Sequence, residues 1–151
     1  MNLNYEIKEL TKEDLEKDKD GFLETLKNLS ETEEISLEDA EKILFEINSN
    51  NGIIYIAKTN EGKIIGTAKL LIEQKFTHNG GKVGHIEDVA VRKGYEGNGI
   101  ASEIIKKIIL DAKKEKCYKI ILDCKDNLLP FYQKFGFHIH ENCLRLDLND
   151  N

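Results

Sequence analysis

The sequence predicts a mixed α/β fold in which a mostly antiparallel sheet lies between helices. Two strand-like runs, residues 53–58 and 63–73, are joined by a tight turn at residues 59–62 and predict an antiparallel hairpin. Between residues 83 and 123 a strand, an amphipathic helix and a second strand follow one another, which predicts a parallel crossover connection. The other helical segments are also amphipathic, so we expect helices on both faces of the sheet.

The N-terminal third predicts one strand and two helices. Residues 5–9 alternate polar and apolar side chains, as in a short strand. A helix follows, with Gly21 as its expected kink. Its apolar residues recur at helical spacing and are Leu15, Phe22, Leu23, Leu26 and Leu29. Ser36 predicts the N-cap of a second helix, with Asp39 in the capping-box position, and residues 50–52 predict the end of that helix.

The C-terminal half predicts alternating strands and helices. A polar loop leads to a third strand at residues 83–91, and another strand, residues 118–123, follows the next helix. The apolar face of that helix consists of Ile100, Ile104, Ile105, Ile108 and Ala112. A short helix then has Pro130 in its first turn and Gly136 as its C-cap. Residues 137–148 predict one or two final strands.

Size and charge restrict the classes of protein. A chain of 151 residues suits a single domain spanning residues 1–151. The net charge of −6 leaves no surplus of cations to neutralise a phosphate backbone, so nucleic acid is not an expected partner. No apolar run approaches the roughly 20 residues of a membrane span, and the N-terminus has no signal-peptide core. We therefore expect a cytosolic protein.

The three cysteines do not predict a metal site. Cys117, Cys124 and Cys143 match no zinc-binding spacing, and the acids and histidines form no ligand cluster, so we expect no metal. In a reducing compartment the cysteines are most simply small buried apolar residues. The alternative is a nucleophilic Cys124, because it lies beside the candidate catalytic residue Asp123. Cys–His catalysis would also need a positioned histidine, and the sequence identifies none.

A glycine-punctuated loop is the strongest local signal for a ligand. Strand 83–91 leads into Gly97 and Gly99, and a helix begins directly after them. Glycines let backbone N–H groups converge on an anion, and the helix N-terminus adds partial positive charge, so phosphate or pyrophosphate is the expected ligand. Ser102 stands where a dinucleotide-binding fingerprint needs its third glycine, and no P-loop lysine follows. The alternative is an ordinary glycine-rich turn.

Residues 96–101 resemble the acyl-CoA-binding loop of the GNAT acetyltransferases, whose pattern is Arg/Gln-x-x-Gly-x-Gly/Ala. Gly99 and Ala101 fit that pattern, whereas Glu96 replaces the usual Arg or Gln. A carboxylate repels pyrophosphate, so we expect Glu96 to point away or to be offset by Arg92 or Lys93. The resemblance implies a GNAT fold, splayed at the cofactor site, and acetyl-CoA as co-substrate.

Further blocks resemble the amino-sugar branch of that family, whose members acetylate glucosamine 6-phosphate. These blocks are residues 72–78, 85–91, 117–124 and 131–137, and the resemblance covers residues 70–137. It implies direct attack of the amine on acetyl-CoA, and a homodimer in which the last strand of each subunit reaches the other active site. Two alternatives remain: a GNAT enzyme acting on another amine, such as a polyamine, an amino acid or a protein N-terminus, and a non-catalytic acyl-CoA-binding module.

Asp123 and Tyr132 are the first candidates for the chemistry. Asp123 lies at the carboxyl end of a strand, where ligands gather in open α/β sheets, and could hold the amine or accept its proton through water. The alternative is an N-cap for the next helix. Tyr132 carries a phenol suited to protonating a leaving thiolate, and the alternative is a buried tyrosine bonded to backbone.

Glu87 and Asp88 lie in mid-strand between apolar residues, where solvated acids are unexpected. Their side chains point to opposite faces unless the strand bulges. The resemblance implies such a bulge, which splays two strands to admit the pantetheine arm. The alternative is a pair of edge-strand acids facing solvent.

The resemblance also assigns the binding residues. The catalytic group comprises Asp123, Tyr132 and Glu87. The cofactor-binding group comprises Asp88, Val89, Ala90, Val91, Glu96, Gly97, Asn98, Gly99, Ile100, Ala101, Tyr132 and Lys134. The substrate-binding group comprises Ser30, Lys75, Phe76, Thr77, His78, Glu87, Asp88, Asp123 and Arg145.

Ser30, His85 and the C-terminal phosphate ligand have open alternatives. Ser30 is equally a helix cap, and His85, which could also reach the substrate phosphate, is more simply structural. Related dimers place a C-terminal arginine at the sugar phosphate. Asp147 occupies the nearest position here, and Arg145, two residues earlier and so on the same strand face, is the expected substitute.

Overall fold

Five strands form one sheet in which spatial order follows chain order. They are Tyr5–Glu9 (β1), Gly52–Thr59 (β2), Ile64–Gln74 (β3), Lys82–Val91 (β4) and Cys117–Ile121 (β5). The pairs from β1 to β4 are antiparallel, and β4 and β5 are parallel. The predicted hairpin and the predicted parallel crossover are therefore both confirmed.

The structure, a computed structural model, describes residues 2–149. The chain divides into two compact units, Met1–Ile121 and Leu122–Asn151, here called the first and second units. The helices of the first unit are Lys12–Leu26 (α1), Leu37–Ser49 (α2), Thr77–Gly80 (α3, a single turn) and Ile100–Lys114 (α4). The second unit contains a 3₁₀ turn, Asp126–Leu128, and a short helix, Leu129–Gln133 (α5).

The alternation of β2 separates the two faces of the sheet. Ile54 and Ile56 belong to one apolar cluster with α1 and α2, whose buried members also include Leu15 and Leu44. The intervening Tyr55 points to the other face, where its hydroxyl donates to Asp111 of α4 at 2.8 Å. The predicted apolar face of α4 is confirmed, because all five of its residues are buried. Helices therefore cover both faces, as expected.

Asp14 ties α1 to the edge of the sheet. Its carboxylate is 2% exposed and lies 2.7 Å from Nζ of Lys8 and 3.0 Å from Nζ of Lys58. It also forms a reciprocal capping box with Thr11 at the start of α1. Burial alone would raise the pKa of Asp14, but the hydrogen bonds from Lys8, Thr11 and Lys58 outweigh it and hold that pKa well below its usual range.

The predicted kink at Gly21 was misplaced. Helix α1 departs from helical geometry at Asp18, whose side chain accepts a hydrogen bond from the N–H of Ile64 at 2.7 Å. A Cβ at Gly21 would lie 2.1 Å from that carboxylate, so glycine is needed there to leave room for Asp18. Leu29 lies beyond the end of the helix.

The predicted strands at residues 137–148 are wrong. Residues 137–149 contain no strand, and Leu144, Leu146 and Leu148 are exposed. Strand pairing requires a second row of backbone N–H and C=O groups, and the described part of the second unit contains no strand that could supply it.

Two boundaries also differ from the prediction. β5 ends at Ile121, so Asp123 follows the strand and does not close it. Helix α5 is capped by Lys134, and Gly136 lies two residues further on with a φ of 96°. Pro130 lies in the first turn of α5, as predicted.

Candidate active site

A β-bulge interrupts β4 at the acidic pair. Glu87 pairs with Lys69 of β3, and Ala90 pairs with Thr67, so two residues of β4 lie opposite one residue of β3. Asp88, one of the two, has a φ of 54°, in the left-handed region that is uncommon for residues with a side chain. The expected bulge is therefore present, and both acids are exposed.

The bulge changes which side chains share a face. Lys69 and Thr67 are two residues apart on β3 and point to the same face, so their partners Glu87 and Ala90 also share that face. Without the extra residue, side chains three apart would point to opposite faces. The bulge therefore places the Glu87 side chain on the same side of the sheet as Ala90, near the end of β4.

Beyond the bulge, β4 has an open edge in the described first unit. Its pairing with β5 ends where His85 meets Ile121, although β4 continues to Val91. The main-chain N–H and C=O groups of that segment can hydrogen-bond an extended ligand, in the manner of an added strand. This end of β4, unpaired with β5, lies where the resemblance implied a splay between two strands.

The loop after β4 has the geometry of an anion site. Gly94, Gly97 and Gly99 have φ values of 94°, 79° and 75°, and Gly99 is the N-cap of α4. A Cβ on any of them would meet nothing within 4 Å, so glycine is required here by backbone conformation and the loop lies open. The first N–H groups of a helix have no partner within the helix, so α4 directs donors and partial positive charge toward this loop.

Glu96 turns back onto its own loop. Its Oε2 accepts a hydrogen bond from the N–H of Gly94 at 2.8 Å. Arg92, one of the two cations expected to offset it, lies 3.8 Å from Asp18 instead. The carboxylate therefore occupies one backbone donor of the glycine loop.

The loop that carries Ser30 is anchored to β4. Asn28, just beyond α1, donates from Nδ2 to the backbone carbonyl of Val91 at 2.5 Å. The Ser30 N–H donates to the Leu26 carbonyl at 3.4 Å, so Ser30 continues the last turn of the helix. The hydrogen bond between Asn28 and Val91 places the loop that carries Ser30 beside the end of β4.

Glu73 contacts two of the side chains that could bind the substrate phosphate. Its Oε1 lies 3.2 Å from Nζ of Lys75 and 3.0 Å from Nε2 of His85. The hydrogen bonds from His85 and then Lys75 lower the pKa of Glu73. The charge of Lys75 is thus partly neutralised by Glu73, and His85 contacts the same carboxylate.

The turn between β3 and β4 is strained and exposed. His78 and Asn79 have φ values of 52° and 57°, a left-handed pair without glycine. The His78 ring stacks on Tyr118 with centroids 3.9 Å apart, while Phe76 is fully exposed. The strand ends and the stacked ring therefore fix this turn, and they leave the aromatic ring of Phe76 in solvent.

In the second unit, Asp123 contacts a cysteine. The Cys143 thiol donates to Oδ2 of Asp123, with sulfur and oxygen 3.1 Å apart. The N-cap of the following 3₁₀ turn is Lys125, so the alternative of a capping role for Asp123 fails. We expected all three cysteines to be buried, but Cys143 is exposed.

Tyr132 lies buried among aromatic rings. Its ring packs edge-on against Phe131 and Phe137, with centroids 4.9 Å and 6.0 Å away. Burial, and then the nearby Cys124, raise the pKa of Tyr132, so its phenol keeps its proton at neutral pH. Burial and the acids Asp126 and Asp123 raise the pKa of the Cys124 thiol, which disfavours the thiolate that nucleophilic catalysis requires.

Arg145 is paired within its own segment. Its guanidinium lies 2.6 Å from Oδ1 of Asp147, and both side chains are exposed. The structure thus joins the two C-terminal residues that sequence reasoning treated as alternatives. In this arrangement the charge of Arg145 is partly neutralised.

Sequence reasoning missed three contacts: Asn28 with Val91, Glu73 with Lys75 and His85, and Cys143 with Asp123. For the Glu73–Lys75 contact a signal was present, because these oppositely charged residues are only two apart in the sequence, although Lys75 lies just beyond the end of β3. The other two contacts join residues distant in the chain and leave no local pattern.

Residues 2–149 contain no group of three or more His, Cys, Asp or Glu side chains that could hold a metal ion. Nor does any helix in this part of the chain have the length and apolar character needed to cross a membrane.

Comparison with known proteins identifies the family. The family model described as the acetyltransferase (GNAT) family matches residues 11–137. The glucosamine 6-phosphate N-acetyltransferase of Trypanosoma brucei brucei is 38% identical over 135 residues, which are 88% of this chain and 91% of that protein. The enzyme of the same name from Candida albicans is 36% identical, over 77% of this chain and 79% of its own length.

A solved structure agrees with these relatives. The crystal structure of glucosamine-6-phosphate N-acetyltransferase from Arabidopsis thaliana superposes with a TM-score of 0.89 at 31% identity, covering 97% of this chain and 99% of that one. The family match, the two relatives and the bulged, mixed sheet agree, and the chain belongs to the acetyltransferase (GNAT) family.

Proposed function

We propose that this protein transfers the acetyl group of acetyl-CoA to the amine of glucosamine 6-phosphate, giving N-acetylglucosamine 6-phosphate and CoA. The structural observation that carries the proposal is the open edge of β4 beyond the Asp88 bulge, which runs directly into the glycine loop. The choice of amine rests on relatives of that name at 38% and 36% identity. We expect the reaction to serve UDP-N-acetylglucosamine synthesis in the cytoplasm.

The first unit fits acetyl-CoA, which supplies the acetyl group as a reactive thioester. An open loop with three left-handed glycines at the start of α4 suits the pyrophosphate. The backbone of residues 88–91 suits the pantetheine arm, which carries its own amide groups. Residues 97–101 supply the remaining loop contacts, and Tyr132 and Lys134 complete the proposed cofactor contacts.

Asp123 and Tyr132 carry the proton transfers in this proposal. The neutral amine attacks the thioester carbonyl carbon, and the carbon–sulfur bond then breaks. Asp123 orients the amine and takes up its proton through water, while Glu87 holds the amine from β4. The Tyr132 phenol protonates the departing thiolate and recovers its proton from solvent, a role that suits a phenol whose pKa is raised by burial.

The sugar phosphate needs cations, because the protein has a net charge of −6. We propose that Lys75 and His78 bind it from one subunit, with Ser30, Phe76 and Thr77 around the sugar. Lys75 would exchange its exposed partner Glu73 for the phosphate. Such an exchange costs little, because an exposed ion pair is worth only about 0–1 kcal/mol.

We further propose a homodimer formed through the C-terminal segment. Its leucines at positions 144, 146 and 148 alternate with polar residues and are 90%, 83% and 89% exposed. Such a row forms one face of a strand once a partner strand is present. The partner's Arg145 would then leave Asp147 and bind the substrate phosphate.

Identification of the product tests the proposal. The protein is incubated with acetyl-CoA and glucosamine 6-phosphate, and mass spectrometry should show the sugar phosphate gaining one acetyl group as free CoA appears. The Asp123→Ala variant serves as the inactive control. Binding of acetyl-CoA in calorimetry without any acetylated product would instead support a non-catalytic acyl-CoA-binding module.

A further inference from the structure

Glu96 adds a negative charge to the loop proposed to bind pyrophosphate. Its side chain is exposed, and its carboxylate accepts a hydrogen bond from the N–H of Gly94 at 2.8 Å. Gly94 is the first of the three left-handed glycines of the loop. The chain's own anion therefore occupies a donor that belongs to the loop.

The geometry of the loop explains why a carboxylate binds there. Successive N–H groups with left-handed glycines between them form a concave surface that attracts anions, and α4 adds its N-terminal partial charge. Asn98 braces this arrangement, since its Nδ2 donates to the Tyr95 carbonyl at 2.9 Å. The Glu96 carboxylate is only two residues from Gly94, so the chain itself keeps it close to this surface. A ligand anion, by contrast, must bind from solution.

The neighbouring arginine does not cancel this charge. Arg92 lies 3.8 Å from Asp18, and its Nη1 donates to the Ile64 carbonyl at 3.5 Å. Its guanidinium is therefore engaged with the kink of α1 and the start of β3. Glu96 has its hydrogen bond to Gly94, and these contacts of Arg92 lie elsewhere.

We propose that Glu96 is an internal competitor of the cofactor: its carboxylate competes with the phosphates of CoA for the N–H groups of this loop. This inference rests on the proposed function, because it assumes that the loop binds CoA. Its consequence is that this chain binds CoA more weakly than the same chain with an uncharged residue at position 96. Removing Glu96 should therefore improve binding, although most active-site substitutions weaken it.

Two substitutions separate the charge from the hydrogen bond. Glu96→Gln removes the negative charge but keeps an oxygen that can accept from Gly94. Glu96→Ala removes both. The matched control is Glu115→Gln, which makes the same change in net charge at the exposed C-cap of α4, roughly 22 Å along the helix from the loop.

The experiment measures the Kd of CoA by titration calorimetry for the four proteins, at low and at high salt. At low salt, Glu96→Gln should lower the Kd by roughly three- to fivefold, the effect of one exposed charge. Glu96→Ala should lower it further. At high salt the gain from Gln should shrink through screening, while the difference between Gln and Ala should remain. The control should leave the Kd of the wild-type protein unchanged.

The inference is overturned if both Glu96 variants bind CoA as the wild type does, or more weakly. It is equally overturned if Glu115→Gln tightens binding as much as Glu96→Gln, because net charge alone would then explain the gain. If none of the four proteins binds CoA, the proposed function is contradicted as well. The cofactor assignment then fails, and the inference fails with it.

Discussion

At the scale of single residues, protonation states separate the candidate roles of Tyr132 and Cys124. Burial raises the pKa of both groups, which keeps both protonated at neutral pH. A protonated phenol can deliver a proton to a leaving thiolate, whereas a protonated thiol is a poor nucleophile. The same physical effect thus supports the proposed acid and weakens the alternative of covalent catalysis.

Replacing Tyr132 by Phe should lower kcat by roughly 10²- to 10⁴-fold, the usual contribution of a general acid. The ring packing against Phe131 and Phe137 is retained, so the unfolding transition should stay close to that of the wild type. Because the pKa of Tyr132 is raised, loss of its proton should reduce wild-type activity only above its ordinary value of about 10. Tyr5→Phe, on β1, is the matched control. Wild-type turnover in a folded Tyr132→Phe protein would eliminate the role.

At the scale of the elements, the buried carboxylate of Asp14 joins α1 to β1 and β2. Lys8 and Lys58 come from the two strands, and Asp14 lies in the first turn of the helix. Removing a carboxylate from water costs free energy, and the attraction of two ammonium groups can offset that cost. This attraction exists only while the carboxylate is charged. The stability of this corner of the fold should therefore depend on pH.

Asp14→Asn should lower the free energy of unfolding by roughly 2–4 kcal/mol at pH 7, because Lys8 and Lys58 lose their charged partner. The folded pKa of Asp14 is depressed, so its contribution is complete above the unfolded value near 4 and is lost as pH falls through the folded value. The gap between wild type and variant should therefore narrow in acid. Urea unfolding at pH 7 and pH 3 measures it.

The control for this prediction is Asp20→Asn, an exposed acid on the same helix, which should have little effect at either pH. A gap between wild type and Asp14→Asn that is equally large at both pH values would contradict the electrostatic explanation.

At the scale of the whole molecule, we propose that the role of the C-terminal segment depends on a second copy of the chain. The family match spans residues 11–137 and so reaches into both units, which we propose form one functional domain. Beyond it, the apolar row at positions 144, 146 and 148 lies exposed, and Arg145 pairs with its neighbour Asp147. Both features are those expected of a strand that lacks its partner.

Arg145→Ala should raise KM for glucosamine 6-phosphate roughly 10- to 100-fold, since one charge-assisted contact is worth about 1.5–3 kcal/mol. It should leave KM for acetyl-CoA unchanged. If the partner's Arg145 serves each site, mixing Arg145→Ala with Asp123→Ala subunits should restore part of the activity, because one hybrid site then holds both groups. Mixed subunits as inactive as the Asp123→Ala parent would place Arg145 in its own subunit's site or outside any site.

The periodicity of apolar residues predicted the elements whose structure depends on nearby residues in the chain. The apolar face of α4 and the β2–β3 hairpin could be read from the spacing of side chains. The kink of α1 could not, because Asp18 leaves the helix for a backbone N–H of Ile64, 46 residues away. The final strands could not be settled either, since pairing requires a partner that residues 122–149 do not contain.

The candidate site shows the same division. The strand–loop–helix sequence predicted an anion loop, and the family resemblance added the bulge at Asp88. The orientation of Glu96 and the contact of Cys143 with Asp123 depend on side-chain torsions and on residues 20 apart, so no sequence pattern encodes them.

The most direct test of the central claim is kcat/KM for a panel of amines, measured by release of CoA from acetyl-CoA. The panel contains glucosamine 6-phosphate, glucosamine, a polyamine, an amino acid and a peptide with a free N-terminus. We expect glucosamine 6-phosphate to have the highest kcat/KM. Glucosamine should fall below it by roughly tenfold or more, because it lacks the phosphate contacts. A higher kcat/KM for a polyamine, an amino acid or a peptide, or equal values with and without the phosphate, would contradict the account.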